Sequence, residues 1–205
     1  PRDHFDVVIV DEFHHAAAPT YQALLEHLLP RELLGLTATP ERNDEEPILQ
    51  WFGGRIAAEL RLWDAIDQHR LVPFAYYGIS DGTDYRQVGW RRGRGYDPEQ
   101  LSELVTGDHV LARRIIANTL KIVTEPEGMR ALGFCVSVAH AHFMADQFNQ
   151  ANLPAIAVSA QTPRQDREQA LRALAARDVR IVFSVDLFNE GIDIPSIDTL
   201  LLLRP

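Results

Sequence analysis

Residues 8–15, with the sequence VIVDEFHH, decide the fold class of this chain. Residues 5–10 form a short, β-branched apolar run that stops abruptly at Asp11 and Glu12. Such a run, ended by polar residues, predicts a buried strand of a parallel sheet. The two carboxylates then lie at the carboxyl end of that strand.

Outward from this strand, strand-like and helix-like segments alternate. Pro19 favours a helix start, and residues 33–36 predict a second strand. Residues 55–68 and 71–79 predict a strand, a helix and another strand. In the second half, helices over 111–123, 140–150 and 163–176 alternate with strands over 131–136, 155–158, 180–185 and 199–203. This alternation predicts an α/β fold with two parallel-sheet lobes.

The residues between these lobes differ in composition. Residues 80–107 are rich in Gly, Asp, Arg and Tyr and have no apolar periodicity. We expect them to form an irregular linker or surface excursion. The predicted organisation is therefore a first lobe over 1–79, the linker over 80–107 and a second lobe over 108–205.

Three turns that follow strands are candidates for chemistry, because ligands of open α/β sheets bind beyond the carboxyl ends of the strands. These turns cover residues 11–15, 37–40 and 186–195. In the first turn, one carboxylate could hold Mg²⁺ and the other could accept a proton from water. The pair could equally be solvated turn residues, and TATP at 37–40 could be an ordinary helix-entry turn.

Four segments together resemble the motifs of superfamily 2 helicases. VIVDEFHH (8–15) resembles the DExH form of motif II, and GLTATP (35–40) resembles motif III. GFCVSVAHA (133–141) resembles motif IV, and FSVDLFNEGIDIP (183–195) resembles motif V. The similarity is greatest to bacterial restriction-subunit-like and nuclease-fused members. It implies two RecA-like lobes, the first partial and the second nearly complete but truncated before motif VI.

The resemblance also implies roles for residues at the nucleotide. Asp11 would organise Mg²⁺, Glu12 would position or deprotonate the hydrolytic water, and His14 would link the nucleotide site to the nucleic acid. The remaining residues expected near ATP are Thr37, Thr39, Gly191 and Asp193.

A further set of residues is expected near nucleic acid. By resemblance these are Phe134 and Ser137 of motif IV, Asp186 and Asn189 of motif V, and Arg164 in the next loop. Arg164 could instead decorate a helix N-terminus. Arg91 and Arg92 lie between Trp90 and Tyr96 and could contact phosphates, although a solvated loop would have the same composition.

Two family elements are missing from these residues. Lys121 is the only lysine and does not follow a glycine, so the chain has no G-x-x-x-x-G-K-[ST] phosphate loop. We expect that loop before Pro1 and an arginine finger after Pro205. The 205 residues alone should therefore lack ATPase activity, although a longer parent protein should have it.

The charge and cysteine content refine this expectation. The net charge of −9 argues at first against nucleic-acid binding. Most of the deficit falls in residues 1–79, however, and we expect only weak DNA affinity for these residues alone. One cysteine and no visible leader favour a cytoplasmic location without a membrane segment.

The function that we predict is ATP-dependent helicase or translocase activity on nucleic acid, DNA rather than RNA, with a fused or associated nuclease. One alternative is a non-catalytic nucleic-acid-binding or scaffold module with the same fold, and a second is the motor subunit of a restriction endonuclease. Another is an unrelated α/β phosphatase or metal-dependent hydrolase. A zinc site at His14 and His15 is disfavoured, because no cysteine or further histidine clusters with them in sequence.

Overall fold

The computed structural model describes residues 1–40, 48–80, 82–92, 95–188 and 194–204. It divides the chain into two compact units, Pro1–Tyr76 and Tyr77–Pro205. Within the described residues, no helix is both long enough and apolar enough to cross a lipid bilayer.

The first unit is built on two parallel strands, β1 (Val7–Val10) and β2 (Glu32–Gly35). Their connection contains a 3₁₀ helix, Phe13–Ala17, and helix α1, Pro19–His27, which has its proline in the first turn. A second 3₁₀ helix, Ile48–Phe52, and helix α2, Leu62–Asp67, follow. The core of this unit consists of Phe13, Ala16, Leu25 and Ile48.

The strand predicted over residues 71–79 does not form. Residues 72–80 have no regular secondary structure. Their apolar side chains are largely open to solvent, with Val72 83% and Tyr76 78% exposed. A strand requires a neighbouring backbone for its N–H and C=O groups, and the described residues of this unit offer none to this segment.

The second unit contains a four-stranded parallel sheet in the order β6-β7-β5-β8. Its strands are β5 (Ala131–Phe134), β6 (Ala155–Val158), β7 (Ile181–Ser184) and β8 (Thr199–Leu202). The helices between them are α5, Val138–Gln150, and α6, Arg164–Ala176. The predicted α/β class with two parallel-sheet lobes is confirmed, and the sequence boundaries of the second sheet were predicted to within two residues.

Both faces of the second sheet are covered, as expected for parallel strands. One face packs against α5 and against α4, His109–Ile122, through residues such as Phe148, Ile181 and Phe183. The other face packs against α6 through Leu132, Leu174 and Val182. Strand β8 ends the sheet, and its Leu200 and Leu202 side chains remain about 60% exposed.

The described residues between 80 and 107 are more ordered than the predicted irregular linker. They include a short antiparallel hairpin, β3 (Trp90–Arg91) with β4 (Gly95–Tyr96), and helix α3, Pro98–Val105. Asp97 caps α3 by accepting hydrogen bonds from the N–H groups of Glu99 and Gln100, each at 3.1 Å. Leu101 and Val105 are buried, so the helix belongs to the second unit rather than to a free connection.

Candidate functional site

The parallel pairing of β1 and β2 brings two predicted motifs together. Val10 is the register partner of Gly35, so both strands end at the same edge. Backbone hydrogen bonds continue beyond the strands, from Leu36 N–H to Val10 O at 2.9 Å and from Phe13 N–H to Leu36 O at 2.8 Å. The segments after the two strands are therefore tied together.

Glu12 turns the chain sharply at this edge. Its φ and ψ are both 48°, in the left-handed region that a residue with a side chain seldom adopts. The Oδ1 atom of Asp11 accepts the Glu12 N–H at 2.9 Å. This geometry separates the two carboxylates: Asp11 is exposed, whereas Glu12 is half-buried and next to His14. Strained backbone of this kind is frequent at functional sites.

A polar cluster links the two motifs directly. His14 Nδ1 lies 3.1 Å from Thr37 Oγ1 and 3.3 Å from Glu12 Oε2. A proton on Nδ1 can therefore be directed to a hydroxyl of one motif or to a carboxylate of the other. Thr37 Oγ1 also accepts the backbone N–H of Thr39 at 3.1 Å. Glu12, His14 and Thr37 therefore meet through their side chains, whereas Thr39 joins through its backbone.

Close packing of Gly35 against Phe13 fixes the position of the segment that carries His14. A Cβ atom on Gly35 would lie 2.7 Å from the Phe13 ring and 2.8 Å from the Phe52 ring. The glycine thus lets Phe13, 1% exposed, pack directly against the end of β2 and fix the 3₁₀ helix that carries His14. The sequence marks Gly35 only as a motif position; its close approach to an aromatic ring has no sequence signal.

The described side chains at this edge include the exposed carboxylate of Asp11. Among them, no group of three or more His, Cys, Asp or Glu residues forms a metal-binding cluster. Asp11 nevertheless suits Mg²⁺, which binds proteins through one or two carboxylates and keeps most of its waters or substrate oxygens. Its carboxylate is exposed at the carboxyl end of β1.

In the second unit, Phe134 and Ser137 lie at the carboxyl end of β5. Ser137 caps α5, because its Oγ accepts the His140 N–H at 3.1 Å. The same Oγ lies 2.6 Å from Ser102 Oγ of α3. Phe134 is half-buried against the α6 side of the sheet. The Ser102 contact was not predicted, since nothing in the sequence connects positions 35 residues apart.

Four other predicted nucleic-acid residues are exposed: Arg91, Arg92, Arg164 and Asp186. Arg164 Nε donates to Glu168 Oε1 at 2.9 Å on α6. Asp186 has a left-handed backbone, with φ 50°, and forms an ion pair with Arg204 at 2.6 Å. Arg91 and Arg92 lie in and beside the β3–β4 hairpin. Asn189, Gly191 and Asp193 lie outside the described residues.

Two buried side chains near β5 have strongly shifted pKa values. Burial lowers the pKa of His140 to about 4 and raises that of Cys135 to about 12. The Nε2 atom of His140 is buried with no hydrogen-bond partner among the described residues. Both groups are therefore neutral core residues near neutral pH.

Comparison with known proteins gives two family matches in separate parts of the chain. Residues 1–42 match the family described as type III restriction enzyme, res subunit. Residues 113–205 match the family described as helicase conserved C-terminal domain. In these two stretches the chain is therefore similar to superfamily 2 helicases. The predicted family resemblance is thereby confirmed, with a partial first RecA-like lobe and a helicase C-terminal lobe.

The chain is also similar to several individual proteins. It is 28% identical to a 51.5 kDa protein of Lactococcus phage, across 97% of this chain and 42% of that protein. It is 23% identical to IRC3 of Saccharomyces cerevisiae, provisionally named an ATP-dependent helicase, across 98% and 30%. The chain thus spans less than half the length of these relatives. The Hef helicase domain of Pyrococcus furiosus aligns with 99% of this chain and 66% of its own, at 12% identity and a TM-score of 0.46.

Proposed function

We propose that this chain is part of an ATP-dependent helicase or translocase that couples ATP hydrolysis to movement along DNA. The observation that carries the proposal is the contact of Glu12, His14 and Thr37 at the joined ends of β1 and β2. A hydrolytic carboxylate, a histidine and a hydroxyl from a second motif are thereby connected by single hydrogen-bond distances. A non-catalytic scaffold has no chemical need for this connection.

In this proposal each residue at the joined ends of β1 and β2 has a separate role in phosphoryl transfer. Asp11 would hold Mg²⁺, and that ion would supply positive charge to neutralise the phosphates. Glu12 accepts a proton from the attacking water or orients that water. His14 and Thr37 couple the protonation state of the Glu12 carboxylate, through their hydrogen bonds, to the segment after β2. Gly191 and Asp193 remain predicted nucleotide contacts.

We further propose that the 205 residues do not hydrolyse ATP at a useful rate by themselves. Their only lysine, Lys121, does not lie in a phosphate-loop motif. Such a lysine reaches the β- and γ-phosphates in P-loop NTPases. Appreciable turnover by the purified chain, abolished by Glu12→Gln, would contradict this part of the proposal.

The decisive experiment is ATPase measurement on the longer protein that contains this chain. Single-stranded DNA, duplex DNA and RNA are compared as stimulators, with duplex DNA expected to be the most effective. Glu12→Gln should reduce stimulated turnover by at least about 100-fold, the scale of a lost general base. Glu26→Gln, on the exposed surface of α1, is the matched control. Equal turnover of both variants would refute the catalytic role.

We also propose a nuclease as a fused or associated partner and a cytoplasmic location. Support for the nuclease comes from the match of residues 1–42 to the res subunit family. ATP-dependent cleavage of duplex DNA by the longer protein or its complex, lost in Glu12→Gln, is the expected result. Unwinding or translocation with no nuclease activity in any purified complex would limit the proposal to the motor.

A further inference from the structure

The hairpin formed by β3 and β4 carries exposed aromatic and cationic side chains. Trp90 is 59% exposed and is the register partner of Tyr96, so both side chains are on the same face of the hairpin. The Tyr96 ring lies 6.1 Å from that of Tyr85. Arg91, the next residue of β3, projects from the opposite face, and Arg92 follows it in the turn; both are exposed. Exposed aromatic rings together with arginines suit the bases and phosphates of a nucleic acid.

The acidic residues near the hairpin are already engaged. Asp84 accepts two hydrogen bonds from the Arg86 guanidinium, at 2.8 and 2.9 Å, and this pairing lowers the pKa of Asp84. Asp97 accepts the first N–H groups of α3. In the described part of the chain, neither Arg91 nor Arg92 forms an ion pair, and both charges remain available to an external anion.

The hairpin is also held firmly on the second unit. The Gly89 N–H donates to Gln100 Oε1 at 2.8 Å, and the Asp97 N–H donates to Gly89 O at 2.7 Å. Both bonds fix the base of the hairpin to the start of α3. One turn further along, Ser102 contacts Ser137, the predicted nucleic-acid residue after β5. A single short helix therefore carries both surfaces.

We propose that this hairpin is a binding site for single-stranded nucleic acid, with Trp90 stacking on a base and Arg91 and Arg92 contacting phosphates. The inference deepens the proposed function by assigning a specific strand contact to the motor. Stacking on an exposed aromatic ring requires an unstacked base, which a duplex does not offer. An acidic protein segment would use the arginines but would not need the tryptophan.

Binding of fluorescein-labelled oligothymidylate and oligouridylate to the 205-residue chain tests this assignment by anisotropy. At low salt, Trp90→Ala should weaken binding of the single strand about tenfold, the scale of one lost stacking contact. Trp90→Phe should retain most of the affinity, and binding of a duplex should be unchanged in both variants. Trp63→Ala is the control, because Trp63 is also exposed, at 67%, but lies in the first unit.

The arginines are tested by salt dependence. Each phosphate contact on a single strand contributes about 0.7 to the slope of log K against log salt, so Arg91→Ala/Arg92→Ala should reduce the slope by about 1.4. Arg113→Ala/Arg114→Ala removes two adjacent exposed arginines from α4 and should leave the slope unchanged. Polyglutamate should compete poorly with the oligonucleotide.

Several outcomes would overturn the inference. These are no binding by the wild-type chain, equal binding of Trp90→Ala and Trp90→Phe, equal slopes for the two arginine pairs, or tight polyglutamate binding. The Glu12→Gln ATPase experiment judges the proposed function separately. A stimulated ATPase that depends on Glu12, together with any of these outcomes, would leave the motor and remove the hairpin site.

Discussion

Replacement of Gly133 by alanine provides a direct test of the packing in the second sheet. A Cβ atom there would lie 2.5 Å from Cε1 of Phe183 and closer still to Cδ1, against an ordinary contact of 3.4–4 Å. Phe183 is fully buried and packs edge-on against Phe148 at 5.1 Å between ring centroids. Because the ring is fully buried and packed against Phe148, we expect the upper part of the overpacking range, about 3 kcal/mol.

Urea unfolding of the chain, followed by far-ultraviolet circular dichroism, measures this cost. The signal reports mainly the second unit, which contains α3 to α6. With a slope of about 2 kcal/mol per molar urea, the midpoint should fall by about 1.5 M. Phe183→Leu should relieve the overlap, so that the double variant is less destabilised than the sum of the single ones by about 1 kcal/mol or more.

Gly128→Ala is the matched control. Its Cβ atom would lie no closer than 3.6 Å to any neighbour. The free energy of unfolding should therefore change by less than about 0.5 kcal/mol. Equal effects at Gly128 and Gly133, or additivity of Gly133→Ala with Phe183→Leu, would refute the packing argument.

Three further predictions concern pH, thiol reactivity and the polar cluster. Burial lowers the pKa of His140 from 6.5 to about 4. Between these two pH values, His140 is protonated in the unfolded chain and neutral in the folded chain. Stability should therefore fall as pH drops from 6.5 to 4, by about 3 kcal/mol, and urea midpoints of His140→Gln should show a shallower dependence. Cys135, with its pKa raised to about 12, should react with a disulfide reagent only after unfolding; rapid reaction of the native chain would contradict its burial. In the longer protein, Thr37→Val should reduce nucleic-acid-stimulated ATPase about tenfold while Thr37→Ser preserves it, because only the hydroxyl contacts His14; equal rates in both variants would show that the hydroxyl has no functional role.

The sequence predicts the second sheet well because each strand is a short apolar run, and β5, β6 and β7 contain no exposed residue. The strand over 155–158 was predicted with its observed bounds. Residues 71–79 have a similar apolar content but no strand partner among the described residues, and apolar content cannot reveal that absence. The start of α3 did have a sequence signal, Asp97 as N-cap followed by Pro98, but the Gly- and Arg-rich composition of the preceding residues obscured it.

The candidate site is predictable to the extent that it follows from strand register. Strands β1 and β2 are parallel and end at Val10 and Gly35, so the residues that follow them, including Glu12, His14 and Thr37, lie at one edge. The contacts of Ser102 with Ser137 and of Arg204 with Asp186 depend on how helices and strand ends pack in three dimensions. No local pattern specifies such pairs, so they required the structure.

The position of β8 has a practical consequence for handling the protein. Its outer backbone edge is unpaired in the described sheet, and Leu200 and Leu202 are exposed beside it. An open strand edge with apolar side chains is a template on which another chain can add a strand. The 205-residue chain should therefore self-associate as its concentration rises, and Leu200→Lys should improve its solubility.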